Sequence, residues 1–310
     1  MRGVFLDTLT MKLEELDTSA LEKVLDHWDL FESTTPDQTA ERIQNADVVI
    51  TNKVVLDRAL IENAPSLKLI CVCATGTNNI DLAAAAEKNI PVKNVAGYTG
   101  TSLAQHTIAL LLALATRWYQ YAEDVKKGKW SQSPIFCRLD YPVMELAGKN
   151  LGIIGYGDLG RKVAGLGEAL GMNILIAQSS TGEEKPGRVA LEKLVSDSDV
   201  ISLHCPLTAQ NSKMVNREFL SAMKQSAFLI NTARGGLVDE TALADALKRG
   251  VIAGAALDVL AVEPPPADHP LLAQDIPNLI ITPHNAWISR ESRQRLLDGV
   301  VNNVRQWLDT

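Results

Sequence analysis

The sequence predicts an α/β protein built from two doubly wound parallel sheets. Short continuous apolar runs alternate along the chain with amphipathic stretches, as expected for strands that are buried on both faces and covered by helices. These runs form two series, one in each half of the chain, joined by a long helical stretch at about residues 101–126. With 310 residues, of which 46% are hydrophobic, the chain can fill two cores.

Four strands are predicted in the first half, and a glycine-containing loop follows the third of them. The loop reads CATGTNNID, residues 73–81. Backbone N–H groups at Thr75, Gly76 and Thr77 can cradle a carboxylate there, although an ordinary structural turn explains the pattern equally well. The predicted strands are residues 3–6, 47–51, 67–73 and 91–95.

The joining stretch contains the most apolar run of the sequence, TIALLLALA at residues 107–115. A helix needs about 20 apolar residues to cross a bilayer, so this run is too short. We therefore expect a buried helix here and no membrane segment.

The second half predicts six strands with a helix or connection between each pair. One amphipathic helix carries Leu159, Val163, Leu166 and Leu170 on one face, and another ends at Gly250, a residue typical of helix C-termini. The predicted helices are residues 158–170, 240–249 and 291–309, and the predicted strands are residues 150–155, 173–177, 199–205, 227–232, 253–259 and 278–283.

A glycine motif, GYGDLG, lies between the first of these strands and the helix that follows it. Gly155 permits a tight turn, Gly157 lets the backbone approach a pyrophosphate, and Gly160 lets helix and strand pack closely. The motif alone is weak, and an ordinary strand-to-helix turn is the alternative. Its position between a buried strand and an amphipathic helix favours a dinucleotide-binding turn.

These observations predict a Rossmann-type dinucleotide domain at residues 99–286. The last helix follows the sixth strand and is expected to return to the first half of the chain. We therefore predict that the dinucleotide domain is inserted into a discontinuous, flavodoxin-like substrate domain, residues 1–98 and 287–310, with a cleft between the two.

The choice of dinucleotide depends on Gln178. An NAD-selective site places Asp or Glu at the end of the second strand, about 20 residues after the glycine turn, to bind the ribose hydroxyls. Here Gln178 takes that place, followed by three hydroxyl side chains at 179–181, with Lys185 and Arg188 close in sequence. Gln178 does not repel a 2′-phosphate, so the sequence leaves NAD and NADP both open.

Three polar side chains follow consecutive strands of the second series. Arg234 follows the fourth strand, Glu263 the fifth and His284 the sixth. Ligands of open α/β sheets bind at the carboxyl ends of the strands, so the three side chains are expected at one functional edge. Each alone is explained by a surface or structural role.

Together the three suit the reduction of a 2-keto acid. A guanidinium binds the carboxylate and polarises the carbonyl. When a hydride reaches C2, the oxygen needs a proton from an acid that titrates near neutrality, which is the range of histidine. A carboxylate beside that histidine fixes its tautomer and stabilises its protonated form.

The motifs TGTNNID, GYGDLG, HCPLT, NTARGGLVDE, LDVLAVEPP and TPHNAW occur in this order and span nearly the whole chain. This set closely resembles the D-2-hydroxyacid dehydrogenase family, and within it the glycerate dehydrogenase/hydroxypyruvate reductase branch. The resemblance implies a homodimeric enzyme that uses NAD(P)H and a small 2-keto or 2-hydroxy acid.

The resemblance also implies roles for individual residues. Arg234 binds substrate, Glu263 partners the histidine, His284 is the acid and base, and Asp258 contacts the nicotinamide carboxamide. Backbone N–H groups of Asp158 and Leu159 meet the pyrophosphate, and Cys205, Pro206, Thr232 and Ala233 line the cofactor.

Two positions depart from the family pattern. Gln178 replaces an Asp that many relatives have, and Gln105 stands where an acid or histidine is common. Among the other histidines, His106 and His204 are interpreted as packing or loop-orienting residues. His27 and His269 are interpreted as surface or structural. No cluster has metal-ligand spacing, so we predict no metal site.

The composition of the sequence limits the binding partners and the compartment that we expect for the protein. The formal net charge of −7 argues against a nucleic-acid partner. The four cysteines form no C-x-x-C pair, which favours reduced thiols in the cytosol, and the N-terminus lacks the pattern of a signal peptide.

The sequence is also compatible with two other functions. The first is a nucleotide-sensing corepressor of the same fold, and the second is a same-fold phosphite or formate dehydrogenase. Glu263 argues against the formate type, which has Gln beside its histidine.

Overall fold

The computed structural model describes residues 1–179 and 185–310 and divides the chain into two compact units. One unit comprises Met1–Thr99 and Trp287–Thr310, and the other comprises Gly100–Ala286. Each unit contains its own parallel sheet, which confirms the predicted class of two doubly wound α/β sheets.

Within the described residues, the sheet of the first unit has five parallel strands in the order β2-β1-β3-β4-β5. This is the flavodoxin-like order. Alternate residues of β1 point to opposite faces, so Val4 joins one core and Phe5 the other. The strands are β1 (Arg2–Phe5), β2 (His27–Leu30), β3 (Val48–Thr51), β4 (Leu69–Val72) and β5 (Val92–Lys93).

Helices cover both faces of this sheet. The C-terminal helix packs on one face through its buried side chains Leu297, Val301 and Val304, which follow a helical spacing. The helices of this unit are α1 (Ser19–Val24), α2 (Pro36–Ile43), α3 (Arg58–Glu62), α4 (Leu82–Glu87) and α11 (Arg290–Leu308), with 3₁₀ turns at Thr8–Thr10 and Leu13–Glu15.

In the second unit, the described residues form six parallel strands in the order β11-β10-β9-β8-β6-β7. The chain leaves β6 for β7 on one side and then crosses to β8 on the other, which creates the crevice where such sheets bind ligands. The six predicted strands are confirmed as β6 (Asn150–Ile154), β7 (Asn173–Ile176), β8 (Val200–Leu203), β9 (Phe228–Asn231), β10 (Gly254–Leu257) and β11 (Leu279–Ile281).

The helices of the second unit correct one prediction. The expected helix at 101–126 is two helices, because Arg117 adopts a left-handed conformation with φ 56° and ends the first of them. The helices are α5 (Gly100–Thr116), α6 (Trp118–Lys126), α7 (Asp158–Ala169), α8 (Leu191–Asp197), α9 (Arg217–Ala222) and α10 (Glu240–Lys248), with 3₁₀ turns at Gly235–Leu237 and Pro270–Leu272.

The face of α7 also differs from the prediction. Leu166, expected on the buried face, is exposed, and the buried positions include Gly160, Ala164 and Gly167. A Cβ on Gly167 would lie 2.6 Å from Leu151 Cδ2 on β6, so small residues allow this helix to lie close to the sheet. Among the helices that the structure describes, none is long and apolar enough to cross a membrane.

Candidate active site

The glycine turn between β6 and α7 has the shape that a dinucleotide needs. Gly155 has φ +99°, and a Cβ there would lie 2.4 Å from the backbone N of Cys205. A Cβ on Gly160 would lie 2.1 Å from the carbonyl oxygen of Gly155. Gly157 is exposed, and a Cβ there would meet open space. The turn is therefore tightly packed on the inside and open on the outside, where a pyrophosphate would approach.

The N-terminus of α7 is available for an anion. The first N–H groups of a helix lack partners within the helix, and Gly157 at the N-cap has no side chain to accept them. The predicted backbone contacts of Asp158 and Leu159 belong to this first turn. The Asp158 carboxylate pairs with Lys162 at 2.6 Å, so its negative charge is compensated. These residues fit a bound dinucleotide.

Gln178, at the position expected to distinguish NAD from NADP, is held in place by hydrogen bonds. The Gln178 amide accepts from the Lys185 N–H at 3.2 Å and donates to the Lys185 carbonyl at 3.3 Å. The Arg188 guanidinium lies 5.9 Å from the centre of the Tyr156 ring, beside the glycine turn. Ser180 and Thr181, whose hydroxyls were expected nearby, lie outside the described residues.

The remaining predicted cofactor residues lie at the carboxyl ends of β8 and β9. Cys205 is half-buried and Pro206 exposed, and burial raises the pKa of the Cys205 thiol, which keeps it neutral at pH 7. Thr232 is buried and shares a 3.0 Å hydrogen bond with Thr107 of α5, and Ala233 follows it in the same turn. Their contacts with a cofactor stay predictions.

Asn231, at the end of β9, stabilises the backbone turn that carries Arg234. Its side-chain oxygen accepts from the Ala233 N–H at 3.0 Å, and its amide donates to the Arg234 carbonyl at 2.9 Å. The Arg234 side chain is exposed, and no carboxylate within residues 1–179 and 185–310 forms an ion pair with it. The guanidinium is therefore available to an anionic ligand.

Glu263 and His284 form a pair at the ends of β10 and β11. Glu263 Oε2 lies 2.6 Å from His284 Nδ1, and Oε1 accepts from the Leu260 N–H at 2.8 Å. Both side chains are 34% exposed. Because Nδ1–H donates to the carboxylate, Nε2 is the atom left to exchange a proton with a ligand.

Asp258 holds the backbone of His284 in an unusual conformation. His284 has φ 51°, in the left-handed region that L-residues rarely adopt. The Asp258 carbonyl accepts from the His284 N–H at 2.8 Å, and its carboxylate oxygens accept from the N–H groups of Asn285 and Ala286 at 3.0 Å each. Asp258 thus orients the turn that carries His284. Its predicted contact with the nicotinamide stays a prediction.

The other histidines differ from His284 in their partners. Thr282 Oγ1 donates to Asp258 Oδ1 at 2.6 Å, so the 3.0 Å bond between His106 and Thr282 requires His106 Nε2 to be the donor. Burial lowers the pKa of His204 to about 4, so this imidazole is neutral at pH 7. Neither combines an adjacent glutamate with a partly exposed ring at a strand end, as His284 does.

Thr75, Gly76 and Thr77 lie in the first unit, in the loop after β4. The Asn94 side chain donates to the Thr75 carbonyl at 2.5 Å, and the Thr75 hydroxyl donates to the Val95 carbonyl at 3.2 Å. Among the described residues, the backbone N–H groups of Thr75, Gly76 and Thr77 donate to no protein partner. They are available to an anion, and their role in binding substrate stays a prediction.

The first unit also contains a cavity of about 780 Å³ at the carboxyl ends of β1 and β3. Asp7, in its lining, is buried, and burial raises the pKa of this carboxyl. Its oxygens accept from the N–H groups of Asn52 at 2.9 Å and Lys53 at 2.6 Å. Asp7 therefore fixes the loop after β3. Among the described residues, no cluster of His, Cys, Asp or Glu could hold a metal ion.

Three comparisons place this chain among known proteins. Residues 108–286 match the family described as "D-isomer specific 2-hydroxyacid dehydrogenase, NAD binding domain". The glycerate dehydrogenase of Methylorubrum extorquens is 45% identical, covering 98% of this chain and 95% of its own. The hydroxypyruvate reductase of Blautia hydrogenotrophica is 40% identical, covering 99% and 97%.

The fold has a counterpart among solved structures. The D-lactate dehydrogenase of Aquifex aeolicus, complexed with NAD and lactic acid, is 30% identical, with a TM-score of 0.83 over 99% of this chain and 95% of that chain. The predicted resemblance is thus confirmed over nearly the full length. This chain belongs to the D-isomer specific 2-hydroxyacid dehydrogenase family and is an oxidoreductase acting on 2-hydroxy acids, with an NAD-binding domain.

Proposed function

We propose that the protein reduces a short 2-keto acid, such as hydroxypyruvate or glyoxylate, to the D-2-hydroxy acid with NAD(P)H. The observation that carries this proposal is the Glu263–His284 pair, with Nδ1 and Oε2 2.6 Å apart, on the same sheet edge as an exposed Arg234. Relatives named glycerate dehydrogenase and hydroxypyruvate reductase support this substrate class.

Each residue of this trio has a defined task in the proposal. When bound, the reduced nicotinamide supplies a hydride to C2 of the keto acid. Arg234 binds the substrate carboxylate and polarises the carbonyl with its planar, permanently charged guanidinium. His284 Nε2 donates a proton to the carbonyl oxygen as negative charge develops there. Glu263 accepts from Nδ1–H and stabilises the protonated ring before the proton leaves.

Initial rates with hydroxypyruvate, glyoxylate, pyruvate and phenylpyruvate, each with NADH and with NADPH, test this function. We expect hydroxypyruvate and glyoxylate to turn over fastest, with kcat/KM above about 10⁴ M⁻¹s⁻¹. Faster turnover of phenylpyruvate would contradict the proposed short substrate. Tight dinucleotide binding without turnover of any acid would favour a nucleotide-sensing role instead.

We further propose that the protein accepts NADPH as well as NADH. The uncharged Gln178 amide and the Arg188 guanidinium near Tyr156 support this, because neither repels a 2′-phosphate. In the same assay, Arg188→Ala is expected to raise KM for NADPH more than KM for NADH. Equal changes in both would show that Arg188 does not discriminate the 2′-phosphate.

We propose that the protein is a homodimer that associates through the segment 118–143. Phe136 and Leu139 are 90% and 81% exposed, and such apolar surface usually marks an interface. Asp124 organises the segment from within, through Lys129 at 2.7 Å and the Tyr141 hydroxyl at 3.0 Å. The other exposed apolar side chains of this segment are Trp118, Val125, Trp130, Ile135 and Val143.

Charged substitution in this segment is expected to yield monomers. Leu139→Asp places a charge in the proposed interface, so light scattering after size exclusion should give about half the wild-type mass. Leu308→Asp, at the exposed end of α11, is the control and should leave the mass unchanged. A wild-type monomer, or a Leu139→Asp dimer as stable as wild type, would contradict this interface.

A further inference from the structure

A second Glu–His pair, Glu240 and His269, contacts the turn that carries Glu263. Glu240, the first residue of α10, accepts from the Ala261 N–H through Oε1 at 2.8 Å. Its other oxygen, Oε2, lies 3.1 Å from His269 Nε2. The two side chains are only 13% and 7% exposed. The sequence had indicated no function for Glu240 and a surface or structural position for His269.

The tautomer of His269 follows from its neighbours. The Leu271 N–H donates to His269 Nδ1 at 3.3 Å, which leaves Nδ1 without a proton of its own. The proton is therefore on Nε2, where it faces the Glu240 carboxylate. Taking a carboxylate and an imidazole out of water costs free energy that their mutual attraction often fails to recover. A buried pair at this place is therefore weak evidence for a purely stabilising role.

The Glu240–His269 pair lies next to the turn that carries the proposed catalytic residue Glu263. Ala261, which Glu240 holds, is two residues before Glu263, and the Leu260 N–H donates to Glu263 itself at 2.8 Å. On another side, a Cβ on Gly235 would lie 1.9 Å from the carbonyl carbon of Leu260, so the turn packs directly against the residue after Arg234. Glu240 thus contacts the 260–263 turn through a hydrogen bond from its Ala261 N–H.

We propose that Glu240 and His269 are positioning residues for the reaction, because they hold the 260–263 turn so that Glu263 stays aimed at His284 Nδ1. This inference rests on the proposed function of the Glu263–His284 pair. Neither residue touches the reacting atoms. A displacement of the turn by about 1 Å would break the 2.6 Å contact between Glu263 and His284, and misplacements of that size can lower rates about 100-fold.

Two substitutions of His269 distinguish its contact with Glu240 from its contact with the Leu271 N–H. His269→Gln can keep a donor where Nε2 faces Glu240, while His269→Asn can keep an acceptor for the Leu271 N–H and loses the contact with Glu240. We expect His269→Asn and Glu240→Gln to lower kcat about 10- to 100-fold with a smaller change in substrate KM. We expect His269→Gln to retain kcat within about threefold. Dinucleotide affinity, measured by fluorescence titration, should stay unchanged in all three.

The NMR signal of the His284 Nδ1–H proton, recorded in the protein without substrate, gives a readout that does not depend on turnover. His284→Asn identifies this signal. A proton shared with a carboxylate at 2.6 Å resonates far downfield, so the signal should move upfield or be lost by exchange with water in His269→Asn and Glu240→Gln. It should keep its wild-type position in His269→Gln.

Glu218→Gln is the matched control. Glu218 also lies in the first turn of a helix, α9, so this variant removes an N-terminal carboxylate without touching the catalytic turn. It should change neither kcat nor the His284 Nδ1–H signal. If His269→Asn and Glu240→Gln lower only the melting temperature, with both this signal and kcat as in wild type, the positioning role is wrong. If wild type turns over no 2-keto acid, the proposed function fails, and the Nδ1–H signals still decide the positioning role.

Discussion

Replacing His284 by alanine is expected to lower kcat for 2-keto acid reduction by about 10²–10⁴-fold, the usual contribution of a positioned general acid. His284 Nε2 is the atom that faces away from Glu263, and without it the developing alkoxide must take its proton from water. Dinucleotide binding should persist, because the glycine turn and the N-terminus of α7 are separate elements of the same unit. Single-turnover rates with a saturating reduced dinucleotide measure the effect directly.

A second substitution separates chemistry from backbone strain. His284 has φ 51°, a conformation that alanine resists and asparagine tolerates better. His284→Ala can therefore disturb the turn that Asp258 holds, whereas His284→Asn should preserve it. If the acid is what matters, both variants lose kcat to a similar extent. Near-wild-type turnover of His284→Asn would show that the side chain is not the acid, and that any loss in His284→Ala came from the turn.

The fold was largely predictable because its core strands are continuous apolar runs. The central strands β8, β9 and β10 of the second sheet are buried at every residue, so they stand out without alternation. The strand β2 was missed because it is an edge strand with the sequence HWDL, which lacks a continuous apolar run and has no fully buried residue. The break at Arg117 was missed because a left-handed Arg lacks the Gly or Pro that signals a helix end.

The candidate-site residues that lie at the ends of strands could be predicted from the sequence. Arg234, Glu263 and His284 each come at the end of a strand, and parallel strands end at the same edge of the sheet. The residues that support them were not predictable in this way. Glu240 and His269 are 29 residues apart in sequence, and only the folded turn brings Nε2 and Oε2 within 3.1 Å. Sequence patterning records local periodicity and contains no sign of such a contact.

Asn231 and Thr282 illustrate a related limit. Both are short polar residues at strand ends, where turn-forming side chains are common for many reasons. Their roles depend on the atoms they meet: Asn231 bonds both sides of the Arg234 turn, and Thr282 donates to Asp258. The motif NTARG contains Asn231 at a fixed spacing from Arg234, which is the sequence signal that could have indicated it.

Replacing Arg234 is expected to lower kcat/KM for the keto acid by about 10³-fold or more, since a charge-assisted bidentate contact and carbonyl polarisation are lost together. Arg234→Lys keeps the charge and loses the planar fork, so it should recover only part of the loss. Both KM and kcat should change, because the guanidinium binds the carboxylate in the ground state and the carbonyl oxygen more strongly as charge develops. Steady-state kinetics with hydroxypyruvate and glyoxylate measure both parameters.

The control for Arg234 is another exposed arginine of the same unit. Arg217 on α9 pairs with Asp245 at 2.8 Å on the surface, so Arg217→Ala removes the same charge from the unit as a whole. Its kcat/KM should stay within about twofold of wild type, because long-range effects of an exposed charge are screened by salt. If Arg217→Ala and Arg234→Ala lose activity equally, the effect of Arg234 is one of net charge. If only Arg234→Ala loses it, and the lost activity returns in part when guanidinium ion is added to the assay, the contact itself is what the enzyme needs.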